Sequence, residues 1–199
     1  MLTELFKRLR RGYTDVLGLD LATTGTKAVR LRKTTEGVTV VAADLLPPVV
    51  LPGMPGATAD TVQPLALPRA LRAKHVALCV PGPAAVVKLI NVPAHGDRSG
   101  EPQIHESLGL DDSVVYRVAY EPVGETPPRG ERRLLAVALP ENQARALPLL
   151  FPHGTPAPAA IEISGLSSLT SFARGPGRQH AEECVMVVDF GAAVSMVAI

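Results

Sequence analysis

Tryptophan is absent from these 199 residues, and aromatic side chains make up only 4% of them. A chain so poor in rings offers no platform on which unpaired bases could stack. Charge of one sign is missing as well: 20 Lys and Arg face 19 Asp and Glu, for a net charge of +1. That balance creates no field to draw a polyanion, so no nucleic-acid partner is expected. Apolar runs are plentiful but short, and none approaches the ~20 residues that a membrane-spanning helix needs. The opening MLTELFKRLRRGY has neither a long apolar core nor a small-residue cleavage site, so no secretory signal is expected. Cysteine is scarce. Cys79 and Cys184 both fall in apolar, strand-like runs, which predicts two buried free thiols in a cytoplasmic setting. The histidines at 75, 95, 105, 153 and 180 show no HxxxH spacing, and no G-x-S-x-G occurs, so neither a histidine-held metal nor that serine nucleophile is expected.

What the chain does have is a patterned stretch, Val16 to Arg32, VLGLDLATTGTKAVRLR. An apolar run ends in Asp20, a turn of small and hydroxylated residues follows (Ala22, Thr23, Thr24, Gly25, Thr26), and Lys27 leads into alternating apolar and basic positions. Such alternation predicts strand, tight turn, strand. The turn could offer backbone N–H groups and hydroxyls to an anion, beside a carboxylate able to hold a hydrated metal. The same residues also read as a structural hairpin with an incidental lysine. A Walker A loop is excluded by spacing, because Asp20 stands where its first glycine belongs and Gly25 is followed by Thr26.

The design recurs near the end, in VMVVDFGAAVSMVAI from Val185 to Ile199: apolar strand, Asp189, Gly191, Ala192, Ala193, apolar strand. Two such hairpins about 170 residues apart resemble the two phosphate loops of the actin-like ATPase superfold, and the step from Asp20 to Lys27 fits as well. Within it the chain is similar to the PilM family of type IV pilus assembly, relatives of the division protein FtsA. The run HVALCVPGPAAVVKLINVP (75–93) resembles the segment that opens that family's inserted subdomain, and AIEISGLSSL (160–169) resembles one in which an acid begins a helix. Here the position of that acid is taken by Ser164, with Glu162 two residues earlier. A second departure is the short helical fragment at 101–110, where the family has a fuller helix.

The resemblance implies an α/β fold: an actin-like (ribonuclease H-like) core subdomain of residues 13–73 and 154–199, with an FtsA-type α+β subdomain, 74–153, inserted. Residues 1–12 read as an amphipathic helix, with Leu2, Leu5, Phe6 and Leu9 on one side and Lys7, Arg8, Arg10 and Arg11 on the other. Such a face suits at most peripheral membrane contact. Strands are expected at 14–20, 27–33, 37–46 and 183–189 in the core sheet. Others are expected at 75–80, 86–92, 114–123, 132–139 and 159–163, with helices at 104–110, 141–151 and 164–173, the last capped by Ser164. Residues 47–56 read as a Pro/Gly-rich linker and 58–73 as a short, broken helix.

The implied function is that of a cytoplasmic scaffold, associated with the inner membrane through its partners. It would dock the N-terminal peptide of a PilN-like inner-membrane protein in a groove between insert and core, with homo-oligomerisation left open. The implied cofactors are ATP and Mg²⁺, expected only where the second half of the fold is present; this chain by itself is expected to bind them weakly or not at all. Asp20, Thr23, Thr24, Gly25, Thr26, Lys27, Asp189, Gly191, Ala192 and Ala193 would face the nucleotide, and Asp20 and Asp189 would hold Mg²⁺ through water. No catalytic residue is identified. Ser164 replaces the expected acid, the second loop lacks hydroxyls, and the chain stops within the second hairpin, so a half cleft and at most a weak ATPase activity are expected. Competing readings are a division (FtsA-like) scaffold, a type II secretion (GspL-like) scaffold, and a sugar-kinase-type phosphotransferase.

Overall fold

The computed structural model describes residues 12–52, 62–81, 85–93, 100–124, 130–151, 155–192 and 195–199. The amphipathic segment expected at 1–12 lies outside them, Gly12 excepted. The chain divides into two compact units, one of residues Ala84–Arg145 and one of Gly12–Pro83 with Ala146–Ile199.

In the larger unit, β1 (Asp15–Ala22), β2 (Gly25–Thr34) and β3 (Gly37–Leu46) form an antiparallel meander. Strand β4 (His75–Val80) then runs parallel to β1, and β8 (Pro158–Ile163) runs parallel to β4. The resulting five-stranded mixed sheet has the order β3-β2-β1-β4-β8. Period-2 alternation explains its core: Leu17, Leu19 and Leu21 of β1 and Val76, Leu78 and Val80 of β4 are all buried. Leu51, Leu71, Leu147, Leu150 and Phe151, from short turns and 3₁₀ segments of the same unit, are buried too. Asp15 enters the buried set only because Arg30 meets it with two hydrogen bonds of 2.8 Å, while a third N–H of Arg30 reaches the Ala70 carbonyl at 3.0 Å. Strand β3 is largely exposed, and its pairing with β2 slips at Arg30 and Leu31, leaving Val41 as a bulge. Bulges of this kind blunt a sheet edge against further pairing.

The smaller unit is an antiparallel sheet, β5-β7-β6, of β5 (Val86–Pro93), β6 (Tyr116–Pro122) and β7 (Glu131–Pro140). Helix α1 (Gly100–Leu108) packs on one face, where Ile104 and Leu108 join Ile90, Val92, Leu134, Ala136 and Ala138 in a buried cluster. Gly109, at φ +67°, ends α1 in the left-handed conformation that glycine tolerates. Its N–H returns to the Glu106 carbonyl at 2.9 Å. Helix α2 (Glu141–Ala146) follows β7, and Glu141 in its first turn accepts from both Arg117 and Arg145.

Several expectations are corrected. Residues 75–80 and 86–92 were both expected in the inserted unit, but β4 lies in the larger sheet and β5 in the smaller one. Parallel pairing with β1 buries alternate β4 side chains, which a local hairpin would leave half covered. The strand expected at 183–189 begins only at Val187, because a 3₁₀ segment, Pro176–His180, and turns occupy the preceding residues. Among the described residues it is not part of the five-stranded sheet: β9 (Val187–Phe190) pairs there with β10 (Ser195–Ala198). Cys184 is therefore exposed, and Cys79 is partly buried. The helix expected over 141–151 stops at Ala146 and tightens into a 3₁₀ turn, Leu147–Leu150, with Pro148 in it. Within 62–73 the only helical piece is Arg69–Leu71.

Candidate functional site

The β1–β2 hairpin turns through Thr23 and Thr24, with Ala22 paired to Gly25. Both threonines are exposed. Gly25 is needed at the turn: a Cβ there would stand 3.1 Å from Leu45 Cδ1 and 3.3 Å from the Leu46 carbonyl oxygen. Register then sorts the remaining side chains. Asp20 pairs with Lys27 across the hairpin, Cys79 lies beside Asp20, and Glu162 beside Cys79. Paired residues share a sheet face, so Lys27, Asp20, Cys79 and Glu162 form one polar row across β2, β1, β4 and β8. Thr26, one residue from Lys27, has the opposite parity. It is fully buried next to Leu21, and among the described residues its hydroxyl has no hydrogen-bond partner. Thr26 is thereby removed from the set of hydroxyls expected to face a phosphate.

Helix α3 (Ser164–Arg174) lies on the face that bears this row. Ser164 was expected to cap it. Ile163 is the cap residue instead, with no side-chain capping bond, and Ser164 is the first helical residue. Its hydroxyl donates to Asp20 Oδ1 at 3.4 Å, while Lys27 Nζ donates to Asp20 Oδ2 at 3.1 Å. One turn later, Ser167 Oγ lies 3.1 Å from Cys79 Sγ. Burial raises the Cys79 thiol pKa to about 11, and the charges of Asp20 and Glu162 push the same way, against the Ser167 hydrogen bond. That thiol is neutral near pH 7 and is no nucleophile.

Ser168 Oγ donates to Asp189 Oδ2 at 2.7 Å. Asp189 shares its face of the β9–β10 hairpin with its register partner Met196. Met196 packs where a Cβ on Gly165 would stand, 2.5 Å from its sulfur. Asp20 and Asp189, from the two similar hairpins, thus both contact α3, at Ser164 and Ser168. Residues four apart on a helix sit about 6 Å from each other. The structure brings the two carboxylates to one helix face. Gly191 and Ala192 lie in the β9–β10 connection, both exposed, and Ala193 is outside the described residues. Among the described residues, no three of His, Cys, Asp and Glu converge on a metal position, and no helix is long and apolar enough to cross a membrane.

Ser167, Ser168 and Gly165 were missed in the sequence. The available signal was the i, i+4 spacing of Ser164 and Ser168 on a helix that follows directly from a strand.

No family model and no curated protein matches the chain. Among solved structures, it is similar to a chain of a PilM–PilN type IV pilus biogenesis complex, with a TM-score of 0.65 and 16% identity. The alignment covers 94% of this chain and 58% of that one. The cytoplasmic domain of EpsL, an inner membrane component of the type II secretion system of Vibrio cholerae, aligns with a TM-score of 0.38 and 13% identity. That alignment covers 66% of this chain and 50% of the EpsL chain, and it is too loose to carry an argument. The first match shows the fold to be α/β and similar to the actin-like fold of PilM. This chain spans a little over half the length of the chain it matches there.

Proposed function

We propose that this chain is a cytoplasmic scaffold of a type IV pilus assembly machine that docks the N-terminal peptide of a PilN-like inner-membrane protein. The observation that supports this reading is the likeness to a chain of the PilM–PilN complex, which extends over 94% of the residues and so takes in both units. A peptide needs apolar surface, and the smaller unit offers it. On the sheet face away from Ile90 and Val92, Val87 and Leu89 are exposed and pair with Val137 and Leu135. An extended segment laid there buries alternate side chains against that strip. A Leu89→Asp variant should weaken the peptide by tenfold or more without unfolding the unit, because Leu89 is already 54% exposed. Unchanged affinity in that variant would remove this strip from the account.

Nucleotide is the second part of the proposal. Magnesium takes hard oxygen donors, commonly one or two carboxylates and several waters. Asp20 and Asp189 match that donor set, and the exposed Thr23, Thr24 and Lys27 surround the first turn. The Lys27–Asp20 pair is open to solvent, with Lys27 68% exposed. Freeing the lysine for a phosphate costs about 1 kcal/mol or less. A bound Mg²⁺ would neutralise phosphate charge between the hairpins. Hydrolysis additionally needs a group that orients or activates water. At the expected place stands Ser164, a hydroxyl turned to Asp20. Turnover is therefore absent or slow, and the chain acts by binding.

A further inference from the structure

We propose that Ser168, with Ser164 one turn before it, is a positioning residue. Together they hold Asp189 and Asp20 against one face of α3, as the two carboxylates that a hydrated divalent cation would take. The inference rests on the cation reading above and deepens it by naming what fixes the two carboxylates.

The geometry has three parts, all in the larger unit. Ser168 donates to Asp189 Oδ2 at 2.7 Å, within the range of charge-assisted O–H···O⁻ bonds, which are roughly twice as strong as neutral ones. Ser164 approaches Asp20 Oδ1 at 3.4 Å, a weaker contact that shares this carboxylate with Lys27. Gly165 lies between the two serines, and its missing Cβ is the space in which Met196 sits. Met196 and Asp189 are cross-strand partners, so the step that seats Met196 on Gly165 also turns Asp189 toward Ser168. The hairpin is placed by packing, and its carboxylate is then fixed in rotation by a hydroxyl.

A side chain that only orients a ligating carboxylate acts as an outer-shell partner, and loss of such a partner typically costs about 10–100-fold in metal affinity. Asp20 is held by two donors, Ser164 and Lys27, whereas the short bond to Asp189 comes from Ser168. The effect of Ser168→Ala is accordingly larger than that of Ser164→Ala. Threonine keeps the hydroxyl, so Ser168→Thr retains most of the affinity. Ser171, exposed on the next turn of α3, is the control position.

The test titrates Mn²⁺ into the ¹⁵N-labelled 199-residue chain and follows paramagnetic broadening of backbone amides. Saturable broadening centred on residues 20–24 and 189–192 is expected. The apparent Kd should rise about tenfold or more in Ser168→Ala, stay near the parent value in Ser168→Thr, and not move in Ser171→Ala. Far-ultraviolet circular dichroism and Tm, recorded on each variant, separate a lost ligand from a lost fold. Absence of saturable broadening in the parent chain overturns both the cation reading and the positioning role. Saturable broadening with an unchanged Kd in Ser168→Ala overturns the positioning role alone.

Discussion

Replacing Gly165 with alanine sets two opposed effects against each other on α3. Alanine is favoured over glycine inside a helix by about 1 kcal/mol, and by less at the second helical position, where Gly165 stands. Against this, the new Cβ would lie 2.5 Å from Met196 Sδ, 3.2 Å from its Cγ and 3.3 Å from its Cβ. The sulfur and Cγ can rotate away, but Cβ at 3.3 Å is tied to β10, so the hairpin itself must shift by a few tenths of an ångström. Added methyl groups in packed sites cost about 1–3 kcal/mol. The clash outweighs the helix gain, and docking of β9–β10 on α3 should weaken by about 1 kcal/mol. By the usual conversion of ~1.4 kcal/mol per decade, amides of Val187–Phe190 and Ser195–Ala198 should then exchange several-fold faster. Hydrogen exchange read by mass spectrometry checks this. Met196→Ala in the same chain removes the obstructing atoms and should restore much of the protection. A Gly165→Ala protein that is more stable, with unchanged exchange in both strands, would refute the reasoning.

Leu134, fully buried at the centre of the smaller unit, should cost about 2–5 kcal/mol when cut to alanine, read as lost exchange protection in β5, β6 and β7. Asp15 is held below its ordinary pKa of 3.8, chiefly by the Arg30 hydrogen bonds. Because the folded pKa is the lower one, its stabilisation is complete well above pH 4 and fades as pH falls below about 3.8. Asp15→Asn should remove that part of the acid-induced fall in the urea midpoint between pH 5 and pH 3, and an identical profile in both proteins would contradict it. Cys79, with its pKa raised to about 11, should resist alkylation at pH 8 while the exposed Cys184 reacts. Mass spectrometry should find one adduct in the native chain and two after denaturation.

The meander β1–β2–β3 was legible because its alternation is strict and its turns are short. The pairing of Asp20 with Lys27 follows once the turn is placed at Thr23 and Thr24. That same parity already sends Thr26 to the buried face, so its exclusion from the site could have been read from the hairpin. The separation of β4 from β5 could not. Both are short apolar strands around a Pro-Gly-Pro run, and the choice between a local hairpin and two sheets is made by distant partners, β1 for one and β7 for the other. The late start of β9 has a similar origin. Cys184 and Val185 look like strand, but the turns that follow the 3₁₀ segment at Pro176–His180 use up the chain before pairing begins. The carboxylates of the site were visible as two hairpins that each carry an Asp and a Gly, and the helix at 164–173 was visible as well, but not that it contacts both carboxylates. Serines have no pattern of their own, and Ser164, Ser167 and Ser168 gain meaning only from the partners α3 places beside them.

The central claim, a scaffold that docks a PilN-like peptide, is tested most directly by titrating that N-terminal peptide into the ¹⁵N-labelled chain and mapping amide shifts. The account predicts saturable shifts in β5 and β7, Val86–Pro93 and Glu131–Pro140, that Leu89→Asp diminishes. Shifts confined to residues 20–27 and 187–192, or no shifts at all, would contradict it.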